Sequence, residues 1–125
     1  MTKAKILYVA DSYKWIETFE IQMMGFLADE TASYRTTNTR ELADKLREDP
    51  NYSFVIMHLS CGGDEGVYRI ANDCRSLTNA VFIAESGMYN LGQKEILKHF
   101  DEYKDAGHQD SYVKNLLIKY GFIRE

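Results

Sequence analysis

Phe54-Val55-Ile56-Met57-His58 is an apolar run that stops at an imidazole and gives way to Ser60-Cys61-Gly62-Gly63-Asp64-Glu65-Gly66. The run has the length of a strand and is too short for a helix. It lacks polar alternation, so both of its faces must be buried, as in the middle of a parallel sheet. The glycines and acids that follow are turn formers, and the chain is expected to leave the sheet there as a loop. The rest of the sequence can be read outward from this strand.

Toward the N-terminus, Thr37 or Asn38 can cap a helix that carries Leu42, Ala43 and Leu46 on one face. That helix should stop before Pro50, because proline disfavours helix in the residue ahead of it. Ser33 to Thr37, with aromatic and β-branched residues, predicts a short strand. Further back, Trp15, Ile16, Phe19, Met23, Phe26 and Leu27 recur at helical spacing and predict a helix over Tyr13 to Leu27. Ile6-Leu7-Tyr8-Val9, ending at Asp11-Ser12, is a buried first strand.

Toward the C-terminus, Val67 to Arg75 predicts a short helix and Ala80-Val81-Phe82-Ile83-Ala84 a fourth buried strand. Leu91 to Asp105 places Ile96, Leu97, Phe100 and Tyr103 at helical spacing. It predicts a long amphipathic helix closed at Ala106-Gly107, where glycine suits a left-handed cap. Beyond it two readings stay open. Ser111-Tyr112-Val113 reads as a fifth strand followed by a short helix from Asn115 to Tyr120, or Tyr112, Val113, Leu116, Leu117 and Tyr120 read as one face of a continuous helix. No repeat, low-complexity tract or linker interrupts the pattern, so residues 1–125 read as a single domain. Strands alternating with helices predict an α/β sandwich with a central parallel sheet.

The composition narrows function. Lys plus Arg is 15 and Asp plus Glu is 19, a formal charge of −4, and 45% of the 125 residues are hydrophobic. A mildly acidic chain without a basic patch is not expected to bind nucleic acid, and no apolar run is long enough to span a membrane. Cys61 and Cys74 lack CxxC spacing, which argues against a zinc site and fits a reducing compartment. With no signal-peptide pattern at the N-terminus, the cytoplasm is the expected location.

In open α/β sheets the working groups lie beyond the carboxyl ends of the strands. Here those ends are Asp11, His58, Glu85 and Lys114. Lys5-Ile6-Leu7-Tyr8-Val9-Ala10-Asp11-Ser12 resembles the opening strand of response-regulator receiver domains, whose pattern is K-I-L-x-V-D-D-S. Phe54 to Leu59 resembles the strand that carries the phosphoacceptor, and Asp64-Glu65-Gly66-Val67 the start of the helix after it. Val81 to Ser86 is similar to the fourth strand with its hydroxyl residue. Ala106-Gly107 followed by Tyr112-Val113-Lys114 is similar to the approach to the family's lysine. The resemblance implies a three-layer, flavodoxin-like (receiver-like) sandwich with about five strands.

The departures bear on chemistry. In that family two acidic residues after the first strand and the acceptor aspartate hold Mg²⁺, and the aspartate takes a phosphoryl group. At the matching positions this chain has Ala10, Asp11 and His58. One carboxylate with an imidazole is a poor set for an ion that wants oxygen ligands in octahedral array. No catalytic residue, metal or cofactor is therefore expected, and Asp11, His58, Glu85 and Lys114 read as a degenerate pocket. Glu85 stands where the hydroxyl residue would be, unless a one-residue shift puts Ser86 there, and its carboxylate is expected to pair with Lys114 and hold the switch in one state.

The function expected is that of an atypical receiver-like signalling module that is not phosphorylated and works by protein–protein contact. The partner is an unidentified protein, with a homodimer as a second option, and Tyr103, Tyr112 and Tyr120 are the candidate contact residues. The alternative is a small flavodoxin-like enzyme or binding protein for a nucleotide or sugar, with Glu85 as nucleophile or base and His58 as acid. Against it, no Gly-rich phosphate loop follows the first strand.

Overall fold

Alternate residues of the apolar runs go to opposite sides of one sheet. In the computed structural model, residues 3–26, 32–59, 65–87 and 93–124 are described. Strand β1 is Ala4–Val9, β2 Ala32–Thr37, β3 Phe54–His58, β4 Val81–Ser86 and β5 Glu102–Asp105. All neighbouring pairs are parallel and the order is β2-β1-β3-β4-β5. Leu7, Val9, Val55, Met57, Phe82 and Ala84 face one core with Leu42, Leu46, Tyr68, Ala71 and Cys74. Ile6, Tyr8, Phe54, Ile56 and Ile83 face the other with Phe19, Met23, Tyr112, Val113, Leu116 and Leu117. Helices α2 (Leu42–Glu48) and α3 (Glu65–Cys74) thus cover one face, and α1 (Tyr13–Phe26) and α5 (Gln109–Lys119) the other. This is the three-layer flavodoxin-like sandwich expected.

Local chemistry explains most boundaries. The side-chain oxygen of Asn38 accepts the Glu41 N–H at 3.0 Å at the entrance to α2, and that helix stops at Glu48, ahead of Pro50. Helix α3 begins at Glu65, two residues before the expected Val67, and is followed by a 3₁₀ turn over Arg75–Leu77. Most of the loop read from Ser60 to Gly66, with Cys61, lies outside the described residues.

The segment read as a long helix from Leu91 to Asp105 departs most from expectation. Within it, α4 spans only Gln93–Ile96, a turn follows, and Glu102–Asp105 is the edge strand β5. The Asp101 N–H donates to the Phe82 carbonyl at 2.8 Å, and the Asp101 carboxylate accepts the Phe82 N–H at 2.9 Å. These two bonds commit the backbone to the sheet. Phe100 and Tyr103 still reach the core, but from a turn and a strand. The alternative reading of the last segment as one continuous helix is the one observed. Gly107 sits in a 3₁₀ turn, Ala106–His108, its N–H on the Asp105 carboxylate at 2.9 Å. The left-handed glycine that ends a helix is Gly121, at φ 84°, just past α5.

Candidate functional site

Two expected pocket residues are brought together. His58 ends β3 and Glu85 lies opposite it in β4. His58 Nδ1 is 2.9 Å from Glu85 Oε2, and the Glu85 side chain is fully buried. A buried carboxylate must have its lone pairs satisfied by donors. The hydroxyls of Tyr8 in β1 and Tyr112 in α5 both donate to Glu85. Gln109, the first residue of α5, donates from Nε2 to Oε1 and Oε2 at 2.9 and 3.0 Å. The carboxylate therefore joins β1, β3, β4 and α5 through a single side chain. Its only ionic partner within 4 Å among the described residues is His58.

Glu85 also sets the state of its neighbours. Burial, and then the Glu85 charge and hydrogen bond, push the phenols of Tyr8 and Tyr112 well above their ordinary value. Both stay protonated and remain donors. Because a carboxylate only accepts, the His58 proton must sit on Nδ1, which leaves Nε2 as the other ring position. Over that ring lies Trp15 of α1, with centroids 4.2 Å apart and planes 26° off parallel, and the His58 side chain is 5% exposed. The Gln109 side-chain oxygen is buried and has no hydrogen-bond partner among the described residues.

The other two expected pocket residues lie elsewhere. Asp11 is exposed and accepts from the Thr39 backbone N–H and hydroxyl, each at 2.9 Å, so it anchors the turn before α2. Lys114 does not end a strand. It lies in the second turn of α5 and is exposed, so the expected pair with Glu85 does not form. The residue in register with Glu85 on β5 is Lys104, whose Nζ is turned to Glu102 at 3.0 Å. Of the three tyrosines read as partner contacts, Tyr103 and Tyr112 are buried in the two cores. Tyr120 is partly exposed and donates to Glu102 at 2.7 Å, with its phenol pushed up to about 12 by burial and by that carboxylate.

Ala10 is buried and has no ligand to offer, Asp11 is bonded to Thr39, and His58 faces Glu85. Among the described residues no three His, Cys, Asp or Glu side chains cluster as a metal site, and no helix is long and apolar enough to cross a membrane. Sequence reasoning found His58 and Glu85 because they end strands. It missed Gln109, for which no sequence signal exists. It also missed the role of Tyr8, although a phenol in the middle of a strand buried on both faces calls for a polar partner.

Solved structures of receiver domains share this fold over almost the whole chain. A CheY-like response regulator from Mesorhizobium loti matches at TM-score 0.66 and 14% identity, covering 95% of this chain and 99% of that one. A CheY-like receiver domain from Methylobacillus flagellatus matches at 0.65 and 21% identity, covering 94% and 98%. The receiver domain of a sensor histidine kinase from Pseudomonas aeruginosa, whose structure has a magnesium ion in the active-site cleft, matches at 0.65 and 14%, covering 95% and 98%. No protein-family model matches this chain, and no curated protein matches it in sequence. The chain has the receiver fold.

Proposed function

We propose that this chain is a receiver-fold regulatory module of the cytoplasm that takes no phosphoryl group and acts by binding another protein. The observation that carries this reading is the engagement of Glu85. A receiver that switches must leave its hydroxyl residue and last helix free to respond when charge develops at the end of the third strand. Here the fourth strand supplies a side-chain carboxyl group whose oxygens are filled by Tyr8, Tyr112, Gln109 and His58. Helix α5 is held to the strand ends by that group without any added charge. Of the three positions where the receiver family carries acidic metal ligands, this chain keeps an acid only at Asp11, with Ala10 and His58 at the others. The same burial weighs against the enzyme reading. Substrate cannot reach a fully buried Glu85 whose lone pairs are already taken.

The test is chemical. The full chain is incubated with a small phosphodonor and Mg²⁺ and its intact mass is measured. The expected mass is unchanged, and His58→Asp alone should leave it unchanged while Ala10 remains. A hydroxylamine-labile phosphoryl adduct on the wild-type chain would overturn the reading.

A further inference from the structure

The two edges of the sheet are unlike. Strand β5 is four residues long and three of them, Glu102, Lys104 and Asp105, are charged, a guard against the addition of a further strand. Strand β2 is six residues long, has no proline and carries one charge, Arg35. Among the described residues it pairs with β1 alone. The Ala10 N–H donates to the Thr37 carbonyl at 3.1 Å, so the backbone of Thr37 turns toward β1. In an extended strand the N–H and C=O of one residue point to the same side, and those of the next residue to the other. Ser33 and Arg35 therefore face β1 as well. Tyr34 and Thr36 each direct a donor and an acceptor away from the sheet.

Beside this edge lies a cleft of about 750 Å³ lined by Glu20, Tyr34, Arg35, Lys45, Glu48 and Asp49. Lys5 of β1 holds Asp49, so the rim carries three cations and three carboxylates. Among the described residues, the side chains of Glu20, Arg35, Lys45 and Glu48 make no hydrogen bond or ion pair. A strand of one charge sign would meet only half of such a rim. A second copy of the chain, related by a twofold axis, brings the same six charges in reverse order. One antiparallel register puts Tyr34 on that axis. Tyr34 then pairs with its own image, Ala32 with Thr36 of the other copy, and Arg35 faces Ser33 of the other copy. No charge sits on the axis. The register centred on Arg35 is disfavoured, because it sets guanidinium against guanidinium. The Tyr34 ring is already fixed for the first arrangement by its edge contact with Phe19, with centroids 5.6 Å apart.

We propose that two copies of the chain associate by antiparallel pairing of their β2 edges about Tyr34, so that the two five-stranded sheets run on as one. This goes beyond the reading of the chain as a protein-binding module. It uses none of Tyr103, Tyr112 and Tyr120, and it leaves the β5 edge untouched.

The test is sedimentation equilibrium of the full chain over a series of concentrations, with amide hydrogen exchange followed by NMR in the same series. The expected result is a monomer–dimer equilibrium in which the Tyr34 and Thr36 amides become protected as the dimer forms. Ser33→Glu would face Arg35 of the other copy twice in each dimer and should tighten association about tenfold, and Ser33→Lys should weaken it about tenfold. Both changes fall on the same half-buried position, so an effect on the fold alone would move them in one direction. Thr36→Pro removes an outward N–H and no bond to β1, and should leave a folded monomer. A monomer at every concentration would overturn the proposal. So would a dimer in which Tyr34 and Thr36 exchange as fast as in the monomer, or Ser33 variants that shift the same way. A chain that stays monomeric while a synthetic acidic strand peptide protects those two amides would overturn the second copy and assign the edge to a foreign strand. The phosphodonor experiment fails or succeeds independently of all of these.

Discussion

At the scale of single residues, Glu85 shows why a buried charge is costly to disturb. Its oxygens accept from two phenols, one amide and one imidazole, and each donor in turn relies on it. Glu85→Gln puts an NH₂ among donors and leaves the His58 ring without its carboxylate. A cost of about 1–3 kcal/mol is expected, the range for leaving buried donors without an acceptor. Tyr112→Phe removes one bond to a charged acceptor and should cost about 1.5–3 kcal/mol. Urea unfolding of the two variants checks both values. The pH dependence has a definite sign. Tyr8 and Tyr112 have folded pKa values raised above the ordinary 10.0 by burial and by Glu85. Their contribution is complete below pH 10. Above it the unfolded chain releases protons that the folded chain keeps, so stability falls by about 1.4 kcal/mol per pH unit for each phenol. Unfolding midpoints measured from pH 8 to 11 should show the decline, and Tyr8→Phe with Tyr112→Phe should flatten it.

At the scale of elements, β5 and α5 are held by charged side chains at their ends. Asp101 ties the start of β5 to the Phe82 backbone and to Arg75 at 2.8 Å. Glu102 gathers Lys119 at 2.9 Å, Tyr120 at 2.7 Å and Lys104 at 3.0 Å, linking β5 to the end of α5. Burial alone would raise the Glu102 carboxyl, but the bonds from Lys119, Tyr120 and Lys104 outweigh it and hold the group below its ordinary range. Asp101→Ala should cost about 1–3 kcal/mol, because it leaves the Phe82 N–H without its acceptor. Hydrogen exchange should localise the loss to Phe82 and the residues of β5. Equal exchange there in variant and wild type would refute this account of how the edge strand is held. Glu-Tyr-Lys-Asp is a weak strand former, and the spacing of Ile96, Phe100 and Tyr103 fits a helix as well. The helix reading failed at this place because pairing with β4 outweighs local periodicity.

At the scale of the whole molecule, Glu85 ties β1, β3, β4 and α5 together at one end of the sheet. If α5 is held by Glu85, exposure to a phosphodonor with Mg²⁺ should leave hydrogen exchange in β5 and α5 unchanged. Altered protection in those elements on such treatment would show a switch that still moves. The two apolar layers explain why so few charges can enter. Among the described residues, Glu85 is one of the few buried polar residues in a core of apolar side chains, and it is tolerated because three other elements, β1, β3 and α5, deliver donors to it. Among the described residues, the large apolar side chains left exposed are Tyr13, Ile21 and Met24 of α1, with Leu97 and Tyr120 elsewhere.

The order of strands and helices was legible in the sequence through Phe54-Val55-Ile56-Met57, Ile6-Leu7-Tyr8-Val9 and Val81-Phe82-Ile83-Ala84, because a strand buried on both faces has to be continuously apolar. Strand ends follow once the strands are located, so the positions of His58 and Glu85 are legible in the sequence while their contact is not. The helical face of Tyr112, Val113, Leu116 and Leu117 was legible too, as one of two readings. Whether Lys114 ended a strand or stood on a helix was decided by where β5 forms, and that depends on the Asp101 bonds to a residue nineteen positions earlier. Gln109 and Tyr8 meet Glu85 across separations of 24 and 77 residues. No local pattern encodes such a meeting. It follows from stacking β1, β4 and α5 at one end of a twisted sheet, where a buried carboxylate selects whichever donors the packing brings within reach.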